Sequence, residues 1–306
     1  VKVIKGTTLT SVELARKYYE QQVDRHNDPE KWRGLSFGHP DLDRVTGGGR
    51  RQEFIVIAGA QKAGKTTAGL NMVLTMADQV QDDEQVLFVS LEMSHSGLAG
   101  RVFANLSEVD VNKFRDYKLE DGDWTDVIRG MEKLQEMPIL WNVGAYNMAG
   151  IEAIIEEHEN IRVVVIDYFQ LMMGDASTGK RWEQLEELSR SLKRLSVMKN
   201  MTVIALSQQT REALKSITKQ KDPNTMAGTQ ALARDADMML IILPMVKDEE
   251  EVPHMREIWV ALSRNSMAEV GIETIFIPKF ARMGAPAREE IEEMPESTYQ
   301  AEYWEV

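Results

Sequence analysis

Gly59, four further residues and then Gly64-Lys65-Thr66, in the stretch "AGAQKAGKTT", form a pattern suited to holding a chain of phosphates. Backbone N–H groups between the two glycines can wrap phosphate oxygens at a helix start, the Lys65 ammonium can neutralise the terminal phosphates, and the Thr66 hydroxyl can bind Mg²⁺. The whole run Gly59, Ala60, Gln61, Lys62, Ala63, Gly64, Lys65, Thr66 and Thr67 is therefore the candidate nucleotide loop. An ordinary glycine turn would not need a Lys-Thr pair in register with a helix start. A metal on a triphosphate needs a second protein oxygen, and "IRVVVID" offers Asp167 at the end of an apolar strand, where the alternative is a plain turn aspartate. Glu92, in "VLFVSLEMS", also follows an apolar run. Placed in the site it could polarise an attacking water; placed on the surface it would do nothing. Gln208 ends "MTVIALSQ" and could read the γ-phosphate through its amide, or simply cap a strand.

These residues must be brought together by strands, and the chain supplies them. "EFIVIAG", "QVLFVSLE", "MPILWNV", "IRVVVID" and "MTVIALSQ" are short, nearly continuous apolar runs, as parallel strands covered on both faces require. Between them lie the amphipathic segments "TTAGLNMVLTMADQV", "MAGIEAIIEEHE" and "RWEQLEELSRSLKRLSVMKN". The alternation predicts an α/β phosphate-loop core, with a mainly parallel sheet between helices and right-handed crossovers. Beyond Leu243, "REIWVALSRN" and "IETIFIPKF" are separated by short polar turns, which predicts antiparallel strands at the C-terminal edge.

The chain has 306 residues, enough for one large core with appendages. Residues 1–30 form an expected N-terminal unit whose helix runs from Thr10 to about Arg25. Thr10 and Glu13 have capping-box spacing, and Val12, Ala15, Tyr19 and Val23 make a stripe that needs a partner on this domain or a neighbouring subunit. Residues 31–285 form the expected catalytic domain, and the acidic, aperiodic residues 286–306 an expected flexible tail.

A balance of 36 basic to 49 acidic residues, −13 overall, argues against a surface coated with positive charge, while leaving room for a local basic groove. The absence of cysteine removes disulfides, thiolate zinc sites and cysteine nucleophiles. The longest apolar stretch, "ADMMLIILPMV", is well short of the ~20 residues of a membrane span, and no signal-peptide pattern opens the chain. A soluble cytoplasmic protein is expected, and a first residue of Val suggests a trimmed or partial chain.

"GLSFGHPDLDRVTGGG", the phosphate loop, "VLFVSLEMS", "VVVIDYFQLM", "VIALSQQTRE", "ARDADMMLI" and "LSRN" follow one another in the order and spacing of a known family. Over roughly residues 34 to 283 the chain resembles the RecA-like motor domain of DnaB-type replicative helicases. "SLEMS", "IDYFQLM" and "ALSQ" are the most specific words. The resemblance implies a hexameric ring that encircles one DNA strand and moves along it by hydrolysing ATP or another NTP with Mg²⁺. By position it makes Lys65 and Thr66 the phosphate and metal ligands, Glu92 the catalytic base, Asp167 the second metal residue and Gln208 the γ-phosphate sensor. Arg264, which read alone is a solvated hairpin residue, resembles the arginine finger that enters a neighbouring subunit's site.

The chain departs from the family in places. Leu262 stands where a lysine usually precedes the finger, and Ala60 and Gln61 replace an Arg-Pro pair. The DNA-binding loop is rewritten so that Ala227, Gly228, Thr229 and Gln230 fall where the family touches the DNA backbone without its usual arginine. Lys215, Lys219 and Lys221 supply charge instead, or form a solvated loop face. Residues 10–25 resemble the linker helix that docks on the adjacent subunit. The N-terminal domain through which bacterial members contact primase has no counterpart, so a phage enzyme or an isolated motor is expected, with primase, loader or other replisome proteins as candidate partners. Two other readings share the phosphate loop: a recombinase-like filament that coats DNA, and an ATPase switch without DNA.

Overall fold

The computed structural model describes residues 8–29, 32–144, 147–158, 160–172, 181–210, 213–225, 230–247 and 250–285. The expected tail, 286–306, lies outside them. The chain divides into two compact units, Val1–Gly34 and Leu35–Val306.

The first unit holds α1 (Ser11–Asn27), which starts where the capping box puts it. Glu13 N–H donates to the Thr10 hydroxyl at 3.3 Å, and the Glu13 carboxylate receives Thr10 N–H at 2.8 Å. Trp32 closes the helix end by donating from Nε1 to Asp24 at 2.9 Å.

In the second unit the expected strands appear as β1 (Phe54–Gly59), β2 (Gln85–Ser90), β3 (Ile139–Val143), β4 (Ile161–Asp167) and β5 (Thr202–Gln208). β6 (Met238–Lys247), β7 (Glu250–Ser263), β8 (Val270–Ile277) and β9 (Arg282–Gly284) complete one sheet in the order β3-β2-β4-β5-β1-β6-β7-β8-β9. Pairing is parallel from β3 to β6 and antiparallel from β6 to β9, as the sequence predicts. The "ADMMLIILPMV" run is β6, whose residues Met238 to Ile242 pair with Ile55 to Gly59 of β1.

Strand residues alternate between two cores, which is why their sequences are apolar throughout. Ile55 and Ile57 of β1 face the core beneath α2 (Pro40–Thr46), α3 (Lys65–Ala77) and α4 (His95–Ser107). Phe54, Val56 and Ala58 face the other, with α7 (Met148–Glu157), α8 (Arg181–Met198) and α10 (Ala231–Asp235). α8 presents Leu185, Leu188, Leu192 and Leu195, the stripe expected of a one-sided helix.

One excursion was not legible: between β2 and β3 the chain forms α4, α5 (Val111–Arg115) and α6 (Asp123–Glu136). α6 packs on α4 where buried Gly130 lies against Leu106 and Ser107. α9 (Ile217–Lys221) is a single short helix in the segment leading to α10. Among the described residues no helix is long and apolar enough to cross a membrane.

Candidate functional site

β1, β2, β4 and β5 run parallel, so their carboxyl ends share one edge, and the candidate residues follow from that. After Gly59 the chain turns through residues 60–64 and enters α3 at Lys65. Gly64 adopts φ +102°, and a Cβ on it would sit 2.6 Å from Met283 Cε and 3.0 Å from Phe276 Cε2. At Gly59 a Cβ would meet the Ile242 carbonyl at 2.9 Å. Gly59 is thus required by the close approach of a backbone carbonyl, and Gly64 by its left-handed φ together with the crowding. No side chain caps the first N–H groups of α3, which stay available to an anion.

Lys65 is only 8% exposed, and its Nζ donates to the carbonyls of Ala60 at 2.6 Å and Gly59 at 3.2 Å. Burial pulls its pKa down to about 8, against the attraction of Asp167 and Glu92. Asp167 is 2% exposed at the end of β4. Burial lifts its carboxyl to about 6, partly opposed by a hydrogen bond from the Thr66 side chain. Its Oδ2 is buried and has no hydrogen-bond partner. A hydroxyl and a carboxylate meeting beside the phosphate loop, with one carboxylate oxygen unpartnered, fit Mg²⁺, which takes one or two protein oxygens and fills the rest of its shell with phosphate and water.

The turn after β2 is fastened to β4, since Leu91 N–H donates to the Asp167 carbonyl at 2.7 Å and Met93 N–H to Ser90 Oγ at 3.2 Å. This brings Glu92 to the site while leaving it exposed, and its charge is felt by both Lys65 and Asp167. The two alternatives for Glu92 therefore coincide: an exposed carboxylate at the mouth of the site. Gln208, half-buried, lies across from Gly59 in the β1–β5 register.

Two residues that sequence reasoning missed join here. Gln170, in the 3-10 turn after β4, donates from Nε2 to Ser207 Oγ at 2.8 Å and to the Gln208 carbonyl at 3.3 Å, and so braces the strand end that carries Gln208. Arg101, on α4, contributes positive charge near Asp167. "DYFQLM" contains Gln170, but nothing in that run reveals which strand its amide reaches.

Arg264 lies elsewhere. Its backbone N–H donates to the Asp237 carbonyl at 2.8 Å, its Nε to the Ala236 carbonyl at 3.0 Å and its guanidinium to the Arg234 carbonyl. Asp237 is paired with Phe54, the first residue of β1, so Arg264 is at the amino edge of the sheet. The five steps from Phe54 to Gly59 span about 17 Å at the usual strand rise, which keeps this guanidinium away from its own phosphate loop. Leu262, where the family has lysine, pairs with Met239 and packs on the second core.

Of the candidate DNA contacts, Ala227, Gly228 and Thr229 lie outside the described residues, and Gln230 is exposed at the start of α10. Lys215 and Lys219 are exposed. Lys221 is held by Glu257 at 3.0 Å and sits 4.1 Å over the Trp259 ring.

Comparison with known proteins gives a consistent match. The model of the DnaB-like helicase C-terminal domain family covers residues 34–284. The replicative DNA helicase DnaB of Helicobacter pylori is 25% identical over 250 residues, 78% of this chain and 51% of that protein. The chain spans about half the length of the curated relatives it matches. Among solved structures, the ATPase domain of G40P superposes with a TM-score of 0.78 at 22% identity, covering 92% of this chain and all of that one. A DnaB-like replicative helicase, described with its interactions with primase, gives 0.75 at 22% identity over 92% of this chain and 68% of its own.

Proposed function

Because the chain belongs to the DnaB-like helicase C-terminal domain family, we propose that it is the motor of a replicative DNA helicase. In this reading it hydrolyses ATP, or another NTP, within a hexameric ring that moves along single-stranded DNA and parts the duplex. The observation that carries the reading is the separation of charges between the sheet edges. Lys65, Thr66, Asp167, Glu92 and Gln208 gather at one edge, while Arg264 stands at the other, away from its own loop, which supports a role in another copy's site.

The roles follow from position. Main-chain N–H groups of residues 60–66 and the Lys65 ammonium bind the β- and γ-phosphates. Thr66 and Asp167 would hold Mg²⁺, which would neutralise charge on the phosphate oxygens. Glu92, exposed at the mouth, takes the proton of the attacking water. Gln208 answers to the γ-phosphate and passes its state along β5, with Gln170 keeping the strand end in place. Arg264 of one subunit stabilises the charge that develops in its neighbour's site. α1 is the segment that ties one subunit to the next. The DNA backbone meets the stretch from Lys215 to Gln230, where exposed Lys215 and Lys219 add positive charge and Lys221 is paired with Glu257. Primase and a loader are the partners such a motor would meet.

The test is nucleotide turnover by the purified chain with Mg²⁺ at low salt, with and without single-stranded DNA. Stimulation by DNA is expected, and DNA binding should weaken as salt rises, because phosphate contacts release counterions. Neither binding nor stimulation under those conditions would sink the reading.

A further inference from the structure

The loop between β7 and β8 that presents Arg264 is held at a second point. Asn265, the next residue, donates from Nδ2 to Glu53 Oε1 at 2.9 Å. Glu53 is 5% exposed, and its carboxylate is itself fixed: Oε2 accepts Arg50 N–H at 3.1 Å, and the Arg50 guanidinium lies 3.5 Å from Oε1. Arg264 is tied through its own backbone and Nε to the carbonyls of Asp237 and Ala236. Asp237 Oδ2 in turn receives Phe54 N–H at 2.7 Å and Lys193 Nζ at 2.6 Å. The two acidic anchors thus bracket the first residue of β1, whose last residue, Gly59, opens the phosphate loop.

We propose that Asn265 is a positioning residue for Arg264, gripped by buried Glu53 so that the finger is presented in one place relative to β1. The inference rests on the finger reading above. The Arg264 side chain is 51% exposed and held mainly by carbonyls, so without the Asn265 anchor its loop has one fewer fixed point on the sheet. A transition-state contact made in a neighbouring site tolerates little displacement. Since the same strand carries the anchor at one end and the phosphate loop at the other, each subunit's finger is mounted on the element that forms its own nucleotide site.

The test reverses the polarity of the pair. Asn265→Asp keeps the size but sets carboxylate against carboxylate, and Glu53→Gln is the matching change. The double variant places an amide donor at 53 and an acceptor at 265. Asn265→Asp, in the full chain, is expected to lower kcat by about 10- to 100-fold with KM for nucleotide little changed, because the nucleotide-binding loop is intact, whereas Glu53→Gln, whose amide oxygen still accepts from Asn265 Nδ2, stays near the parent. The double variant should recover most of the loss, which a general loss of folding would not do. Arg264→Ala is measured alongside. If it cuts kcat while Asn265→Asp turns over like the parent, the positioning role is overturned and the finger stands. A fall in Asn265→Asp with no recovery in the double also overturns it. If Arg264→Ala itself leaves kcat unchanged, it is the finger reading that fails.

Discussion

At the carboxyl edge of the sheet, Asp167 is buried with one oxygen unpartnered, and Lys65 is desolvated and bonded to carbonyls of its own loop. At the amino edge the carboxylates are answered within the chain, although Arg50 Nη1 is buried without a hydrogen-bond partner: Asp237 receives Lys193 and the Phe54 N–H, Glu53 receives Arg50 and Asn265, and Arg51 meets Glu84. Arg162, buried beside them, donates to Thr202 Oγ1 at 2.7 Å and to the Gly49 carbonyl at 3.3 Å. An unanswered buried charge costs several kcal/mol and is kept where a ligand will answer it; a satisfied network holds position. In the proposed reading the first edge is a receiver and the second a mount, and a parallel sheet keeps the two apart in one chain.

The sharpest way to break that comparison is to make receiver and mount meet between chains. Arg264→Ala should cut nucleotide turnover by about 10³–10⁵, and Lys65→Ala should abolish it by emptying the receiver. Mixed rings of the two should regain part of the activity, because an Arg264→Ala subunit keeps a sound loop that can face the intact finger of a Lys65→Ala subunit. Absence of recovery in rings shown to contain both variants, or full turnover by a dilute monomer, would end the separation of roles.

Glu92 sharpens the comparison within the receiver. It is exposed, unlike Asp167, yet its charge reaches both Lys65 and Asp167. Glu92→Gln should lower kcat by about 10²–10⁴ with nucleotide binding retained. Turnover at the parent rate would reduce Glu92 to a surface residue.

The receiver was far more legible in the sequence than the mount. Gly59, Gly64, Lys65 and Thr66 lie within one short loop, and Glu92, Asp167 and Gln208 each end an apolar run, so parallel pairing alone brings them to one edge. Arg264 could be picked out through family likeness, but its surroundings could not. The Asn265–Glu53 bond joins residues 212 positions apart, and the Arg264–Ala236 bond 28. No local period encodes either. The α4–α6 excursion escaped for a different reason: its packing relies on Gly130 against the backbone of Ser107, a contact made by the absence of a side chain. Gln170 was hidden because a glutamine in a turn declares no target until the neighbouring strand is placed.

The smallest effect concerns what the receiver costs the fold. The Asp167 carboxyl is raised from 3.8 to about 6, chiefly by burial, so the folded chain holds its proton more tightly than the unfolded chain does. Below about pH 4 the group is protonated in both states and the cost is absent. Between about 4 and 6 it must ionise against burial, stability falls, and above about 6 the penalty is fully present. Asp167→Asn carries no charge at any pH. At pH 7.5 without nucleotide the variant should be more stable than the parent by about 1–3 kcal/mol, a rise of a few degrees in Tm. The difference should vanish as pH is lowered towards 4, and Mg²⁺ with nucleotide should stabilise the parent more than the variant. A gain that persists unchanged at pH 4, or a lower Tm at pH 7.5, would mean that this carboxylate is not the strained member of the site. The claim that this edge is held at a cost to the fold would then lose its energetic basis.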